Sequence, residues 1–156
     1  MSYEQRLTQL GLNLPSAPKP VATYVPFVRV GDLLFLSGVV PIRDGKITHQ
    51  GKLGGDFTKE IGYEATKITL LNALANVRLA LGSLDRVKQV VKLTGYVASE
   101  KGFVEQPFVI NGASDLLVEI FGDVGRHARV AVGVAELPLG VPVELELIVE
   151  VYPASV

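Results

Sequence analysis

Residues 143–152, VELELIVEVY, form the cleanest period-two run in the chain: Val143, Leu145, Leu147, Val149 and Val151 fall on one face, and Glu144, Glu146 and Glu150 on the other. A period of two is the mark of a β-strand with one buried face. A strand this long cannot leave so continuous an apolar edge in water, so the rest of the chain has to supply a cover. Two segments have the right pattern. From Glu60 to Leu81, Ile61, Ala65, Ile68, Leu71, Leu74, Ala75 and Leu79 recur at steps of three and four, which predicts an amphipathic helix. Thr58 stands as its N-cap, Glu60 lies in its first turn, and Gly82 stands as its C-cap. A second helix is predicted to open at Gln106 or Pro107 and run through Ile110, Leu116, Leu117 and Ile120 to Phe121-Gly122.

The remaining apolar runs read as strands. VPFVRVGDLLFLSGVV (25–40) splits into two at the Gly31-Asp32 turn signal, and LLFLSG has so little polarity that cover on both faces is expected. Arg43-Asp44-Gly45-Lys46 is a tight-turn cluster before a short strand at Ile47. Val87–Val97 is rich in β-branched residues, and Val130–Ala135 forms a further short run. At the N-terminus, residues 3–10 form a short helix, and the proline-dense LPSAPKP an extended, irregular arm. The order β-β-(β)-α-β-α-β-β predicts an α+β fold: a mixed sheet with both helices on one face. The other face still carries apolar residues. In a chain of 156 residues a second copy is the simplest cover, which predicts an oligomer.

Composition narrows function. The length suits one domain over residues 1–156, with 1–20 as an arm. Net charge is −1 and aromatics are 7%, so neither a basic field nor a base-stacking platform is expected, and no nucleic-acid partner. There is no cysteine, which removes thiolate chemistry and disulfides. The N-terminus lacks the basic start and apolar run of a signal peptide, and no stretch has the length of a membrane span, so a cytoplasmic location is expected. Neither GxxxxGK[ST] nor GxGxxG is present. His49 and His127 are the only histidines and have no metal-ligand spacing, so no metal and no cofactor is expected. Ser37, His127 and Asp123 are the residue types of a triad, but no GxSxG elbow supports one.

The chemistry concentrates in GRHARVAVGVAELPLGVPVELE. Arg129 opens one strand and Glu144 the next. If those strands are neighbours, a guanidinium suited to a planar carboxylate meets a glutamate that can orient water. A structural ion pair at a sheet edge gives the same spacing.

These residues resemble the C-terminal signature of the YjgF/RidA family, also known as L-PSP endoribonucleases: Arg129, Val132, Val134, Leu137-Pro138, Val143, Glu144 and Glu146. Tyr24, Ser37, Gly38 and Pro41 are similar to the family's N-terminal pattern, the 72–97 segment to its Asn-x-x-x-x-Leu and Gly-Ser/Asp-x-Val-Lys patterns, and Asn111 to its helix-opening asparagine. The resemblance covers roughly residues 20–151. It implies a chorismate-mutase-like fold, a homotrimer with the sheets forming an inner barrel, and sites between subunits. It further implies hydrolysis of enamines and imines of the 2-aminoacrylate type to 2-keto acids and ammonia. Arg129 would bind the substrate carboxylate and Glu144 would position the attacking water. Tyr24 and Ser37 would line the pocket, with Asn111 near it. The chain departs from the family in reading His127-Ala128-Arg129 where Pro-Ala-Arg is common. A non-catalytic trimer that senses a small carboxylate is the alternative, and an endoribonuclease the third reading.

Overall fold

The computed structural model describes residues 1–19 and 22–154. A short helix, α1 (Tyr3–Gln9), leads through the irregular arm to a hairpin of β1 (Phe27–Val30) and β2 (Leu33–Leu36). A minimal hairpin, β3 (Ile42–Arg43) and β4 (Lys46–Ile47), follows. Its turn residues Asp44 and Gly45 both have positive φ, 53° and 74°, the twist that two-residue hairpins favour. Then come α2 (Lys59–Leu81), β5 (Val87–Ala98), α3 (Gln106–Phe121), β6 (Ala128–Val134) and β7 (Val143–Val151).

The main sheet has the order β1-β2-β7-β5-β6. All its pairs are antiparallel except β5–β6, which is parallel and joined by α3 as the crossover. The fold is therefore the mixed α+β arrangement expected, with α2 and α3 on one face. The alternating strand β7 lies in the middle. Val143, Leu145, Leu147, Val149 and Val151 are buried against the helices, and Glu144, Glu146, Ile148 and Glu150 point to the other side.

The buried face of α2 is rotated from the one its aliphatic residues predict. Ile61 and Leu79 are exposed, while Gly62, Ala65, Thr66, Thr69, Leu70, Ala73 and Val77 face the core. The reason is polar satisfaction. Thr66 Oγ1 donates to the Gly62 carbonyl at 2.9 Å and Thr69 Oγ1 to that of Ala65 at 2.8 Å, so these hydroxyls enter the core without a stranded donor. Asn72 is also buried, and its amide donates to the carbonyls of Val40 and Ile42 at 3.0 and 2.9 Å, pinning the chain that leaves β2.

The LLFL strand is not covered on both faces within this chain. Leu34 and Leu36 are buried, but Leu33 and Phe35 point away from the helices and are exposed. With Val28 and Val30 they form an apolar patch on the helix-free side of β1 and β2, and Val130 and Val132 form a second on β6, with the polar residues of β7 and β5 between them.

The N-terminal helix is fastened to distant parts of the chain. Ser2 and Gln5 form a capping box. The amide of Tyr3 donates to Asp85 Oδ1 at 2.6 Å, Arg6 Nε donates to the Glu119 carbonyl at 2.9 Å, and Arg78 pairs with Glu4. Leu7 is buried and the Tyr3 ring meets Phe121 edge-on at 4.8 Å.

The two long helices touch at Gly112. A Cβ there would lie 2.2 Å from the Tyr63 carbonyl oxygen, which is backbone and cannot yield. Gly112→Ala should cost about 1–3 kcal/mol by forcing the helices apart. Urea titration should show a lower midpoint at unchanged slope, and a midpoint equal to wild type would contradict this packing.

Candidate functional site

The expected site residues fall into two groups. The first surrounds a cavity of about 560 Å³ lined by Tyr24, Ser37, Gly38, Asn76, Leu139 and Glu144, among others. Local folding places each of them. Leaving β2, the chain turns along β7, and Val39 and Leu145 exchange backbone hydrogen bonds of 2.9 and 3.0 Å. That bridge sets Gly38 directly against Glu144. A Cβ on Gly38 would be 2.3 Å from Glu144 Oε1, so only glycine lets the carboxylate lie on this backbone. Ser37 Oγ donates to the Val25 carbonyl at 2.6 Å, which holds the segment leading from Tyr24 beside the cavity.

Glu144 is half-buried. Its carboxyl is held above the ordinary carboxylate value by burial first, and then by the neighbouring charge of Glu146. Glu146 in turn accepts a hydrogen bond from Tyr96, and that bond, with burial, pushes the phenol up to about 12. The central sheet face thus carries two glutamates in close company, one capped by a tyrosine and the other open to the cavity.

The second group lies on the far edge of the sheet, on the helix side. Arg129 Nη1 donates to Asn111 Oδ1 at 2.6 Å and to Ser114 Oγ at 3.2 Å. His127 joins the same chain of contacts. Its Nδ1 is 2.6 Å from the Gly125 carbonyl and must donate to it, which leaves Nε2 of the neutral ring to accept from the Ser114 hydroxyl at 2.9 Å. The Ser114 oxygen is thereby turned towards Arg129. His127 acts on the arginine through one hydroxyl.

The two groups do not meet within one chain, contrary to the neighbouring-strand expectation. Strand β5 lies between β6 and β7: Arg129 pairs with Leu93, Leu93 with Leu147, and Glu144 sits three residues further along. Two strand spacings and three residue rises separate their backbones by about 14 Å. Their side chains also leave opposite faces, since Arg129 shares the Leu147 side and Glu144 does not. Asn111 is likewise not at the opening of α3, which begins at Gln106; it reaches Arg129 rather than the cavity. Ser114 was not singled out by sequence, and Asn76 entered only as the asparagine of the Asn-x-x-x-x-Leu pattern that ends at Leu81. Ser114 sits three residues after Asn111, the helical spacing that faces one partner, and this was the available signal.

Among the described residues no cluster of three His, Asp or Glu side chains is placed to hold a metal, and no helix is long and apolar enough to cross a membrane.

A mixed sheet backed by two helices, with an arginine and a glutamate on successive C-terminal strands, defines the YjgF-like class. The family model described as "YjgF/chorismate mutase-like, putative endoribonuclease" matches residues 4–151, so the match takes in α1 as well as the sheet. The chain belongs to this family. It is 46% identical over 145 residues to Protein TCP17 of Trypanosoma cruzi, spanning 92% of this chain and 91% of that protein. A Shewanella oneidensis crystal structure, of the same endoribonuclease description, superposes with a TM-score of 0.94 at 38% identity and covers 97% of this chain and 100% of that one. RidA from an Antarctic Psychrobacter superposes at 0.63 with 26% identity, covering 87% and 94%.

The raised Glu144 has a consequence for stability. The folded state holds this proton more tightly than the unfolded chain, so stability falls as pH rises through the window above the ordinary value of 4.5. Glu144→Gln removes that cost. The variant should melt above wild type at pH 7, and the gain should vanish below pH 4.5. An equal or lower melting temperature at pH 7 would contradict the assignment.

Proposed function

We propose that this protein is a hydrolytic deaminase of reactive 2-imino and enamine acids, acting as a homotrimer whose sites are completed between neighbouring copies. One observation carries the reading. The chain holds two half-sites, a cavity with a raised glutamate and a braced arginine, on opposite faces of one sheet. The cavity holds Lys19 but no arginine, and the Arg129 group holds no carboxylate. The exposed apolar patches at the two edges of the helix-free face, with Val28, Val30, Leu33 and Phe35 on one and Val130 and Val132 on the other, each at least 36% exposed, support burial against further copies of the chain. Kinship with a protein named RidA supports the reaction class.

In this reading Arg129 of one copy faces the cavity of the next. Asn111 and Ser114 hold its Nη1, and its Nε–Nη2 edge has no partner among the described residues. That edge forks onto the substrate carboxylate. Glu144 takes a proton from water, and the oxygen attacks the imine carbon. That proton passes to nitrogen to give a carbinolamine; Glu144 then carries its hydroxyl proton to the same nitrogen, the carbon–nitrogen bond breaks as the C=O forms, and ammonia leaves a 2-keto acid. A glutamate raised above its ordinary range is a better base for water than an exposed one.

Imines generated in place by an amino-acid oxidase provide the assay. Wild type should accelerate keto-acid release, and Arg129→Ala and Glu144→Gln should each lower it at least about a hundredfold. Mixing the two inactive variants, unfolding and refolding them together, should restore about a quarter of the activity, the share of sites with both halves intact in random trimers. Zero recovery from a mixture shown to contain both subunits would rule out a shared site, and sedimentation as a monomer would do the same.

A further inference from the structure

Asn76 stands out among the cavity residues. It is 3% exposed, yet its Oδ1 has no hydrogen-bond partner among the described residues. Asn72, one turn earlier on α2, is equally buried and shows what a structural asparagine does here: both of its bonds pin backbone carbonyls. Asn76 pins nothing and lines the cavity instead. A buried acceptor left empty is costly unless something fills it.

Lys19, Tyr24, Ser37 and Glu144 are the other polar residues of the cavity, and the remainder of its lining is apolar. Pro26, Val39, Val40 and Ile42 form its wall, and Leu139 closes its edge. Leu139 adopts a φ of 62°, which a leucine rarely takes. The turn that holds it there is tied down from outside, by Gln50 Nε2 donating to the Leu139 carbonyl and Gly51 N to that of Gly140, each at 2.9 Å. Strain of this kind persists where surrounding contacts impose it, and it concentrates at ligand sites. A volume of about 560 Å³ lies in the range that accommodates ligands of tens of atoms.

Resting on the deaminase reading, we infer that Asn76 is a specificity residue, and that the substrates are 2-imino acids with a bulky, largely apolar side chain carrying one hydrogen-bond donor, received by Asn76 Oδ1. The apolar wall binds the body of the side chain. The amide oxygen selects the group at its end, because an analogue without a donor leaves Oδ1 unpaired inside the complex.

Stable keto acids of the product class serve as probes in titration calorimetry. 4-Hydroxyphenylpyruvate and indole-3-pyruvate, which carry O–H and N–H donors, should bind at least tenfold more tightly than phenylpyruvate, and pyruvate should bind most weakly. Asn76→Leu should bring the hydroxyphenyl and phenyl ligands to equal affinity while keeping phenylpyruvate within twofold of wild type. Asn76→Asp keeps an acceptor and should keep the preference. Equal affinities in wild type would overturn the inference without any variant, as would absence of binding or pyruvate as the tightest ligand; a resident water satisfying Oδ1 predicts equal affinities. Flat binding with imine turnover intact removes the inference and leaves the deaminase. Donor preference without turnover removes the deaminase and leaves the site.

Discussion

Burial of the inward face of β7 under α2 and α3 governs the rest of the molecule. Val143, Leu145, Leu147, Val149 and Val151 are each at most 1% exposed, and with Leu93 and Val97 on β5 they form the floor on which both helices lie. Because side chains alternate, burying these five obliges Glu144 and Glu146 to the opposite face, where no helix can neutralise them. The half-buried glutamate is therefore a by-product of the core. Its raised carboxyl and the closeness of Gly38 follow from the strand's position in the centre of the sheet. A one-residue slip of β7 would drive the acids into the helices and the leucines out of the core.

This also explains what could be read from sequence. The alternation in β7 and the capped run from Thr58 to Gly82 depend on nearest neighbours along one element, and both are found where the pattern places them. The rotation of α2 was not legible from apolar spacing alone. Thr66 and Thr69 look like surface residues until their hydroxyls are seen to return to the carbonyls one turn back. Strand order was less legible still. β6 and β7 are consecutive and joined by a short turn, which suggests a hairpin, but α3 carries the chain over so that β6 pairs in parallel with β5. Nothing in the local sequence of either strand records that choice.

The candidate site shows the same division. Arg129, Glu144, Tyr24 and Ser37 were identifiable as residue types in a recognisable pattern, but their grouping depends on strand order and face. Glu144, Tyr24 and Ser37 share a cavity. Arg129 stands apart with Asn111, Ser114 and His127. Asn76 opens the Asn-x-x-x-x-Leu pattern that ends at Leu81, but its burial at the cavity was not legible, since what distinguishes it from Asn72 is which carbonyls lie within reach.

The fastening of α1 bears on the order in which the chain can be finished. Glu4, Tyr3 and Arg6 bond to residues 74, 82 and 113 positions later. This helix is made before the surface it docks on, which exists only once α3 has formed and packed. A segment of seven residues gains little from helicity alone. Its place is set by tertiary contacts to residues far along the chain, and the arm beside the cavity hangs from it.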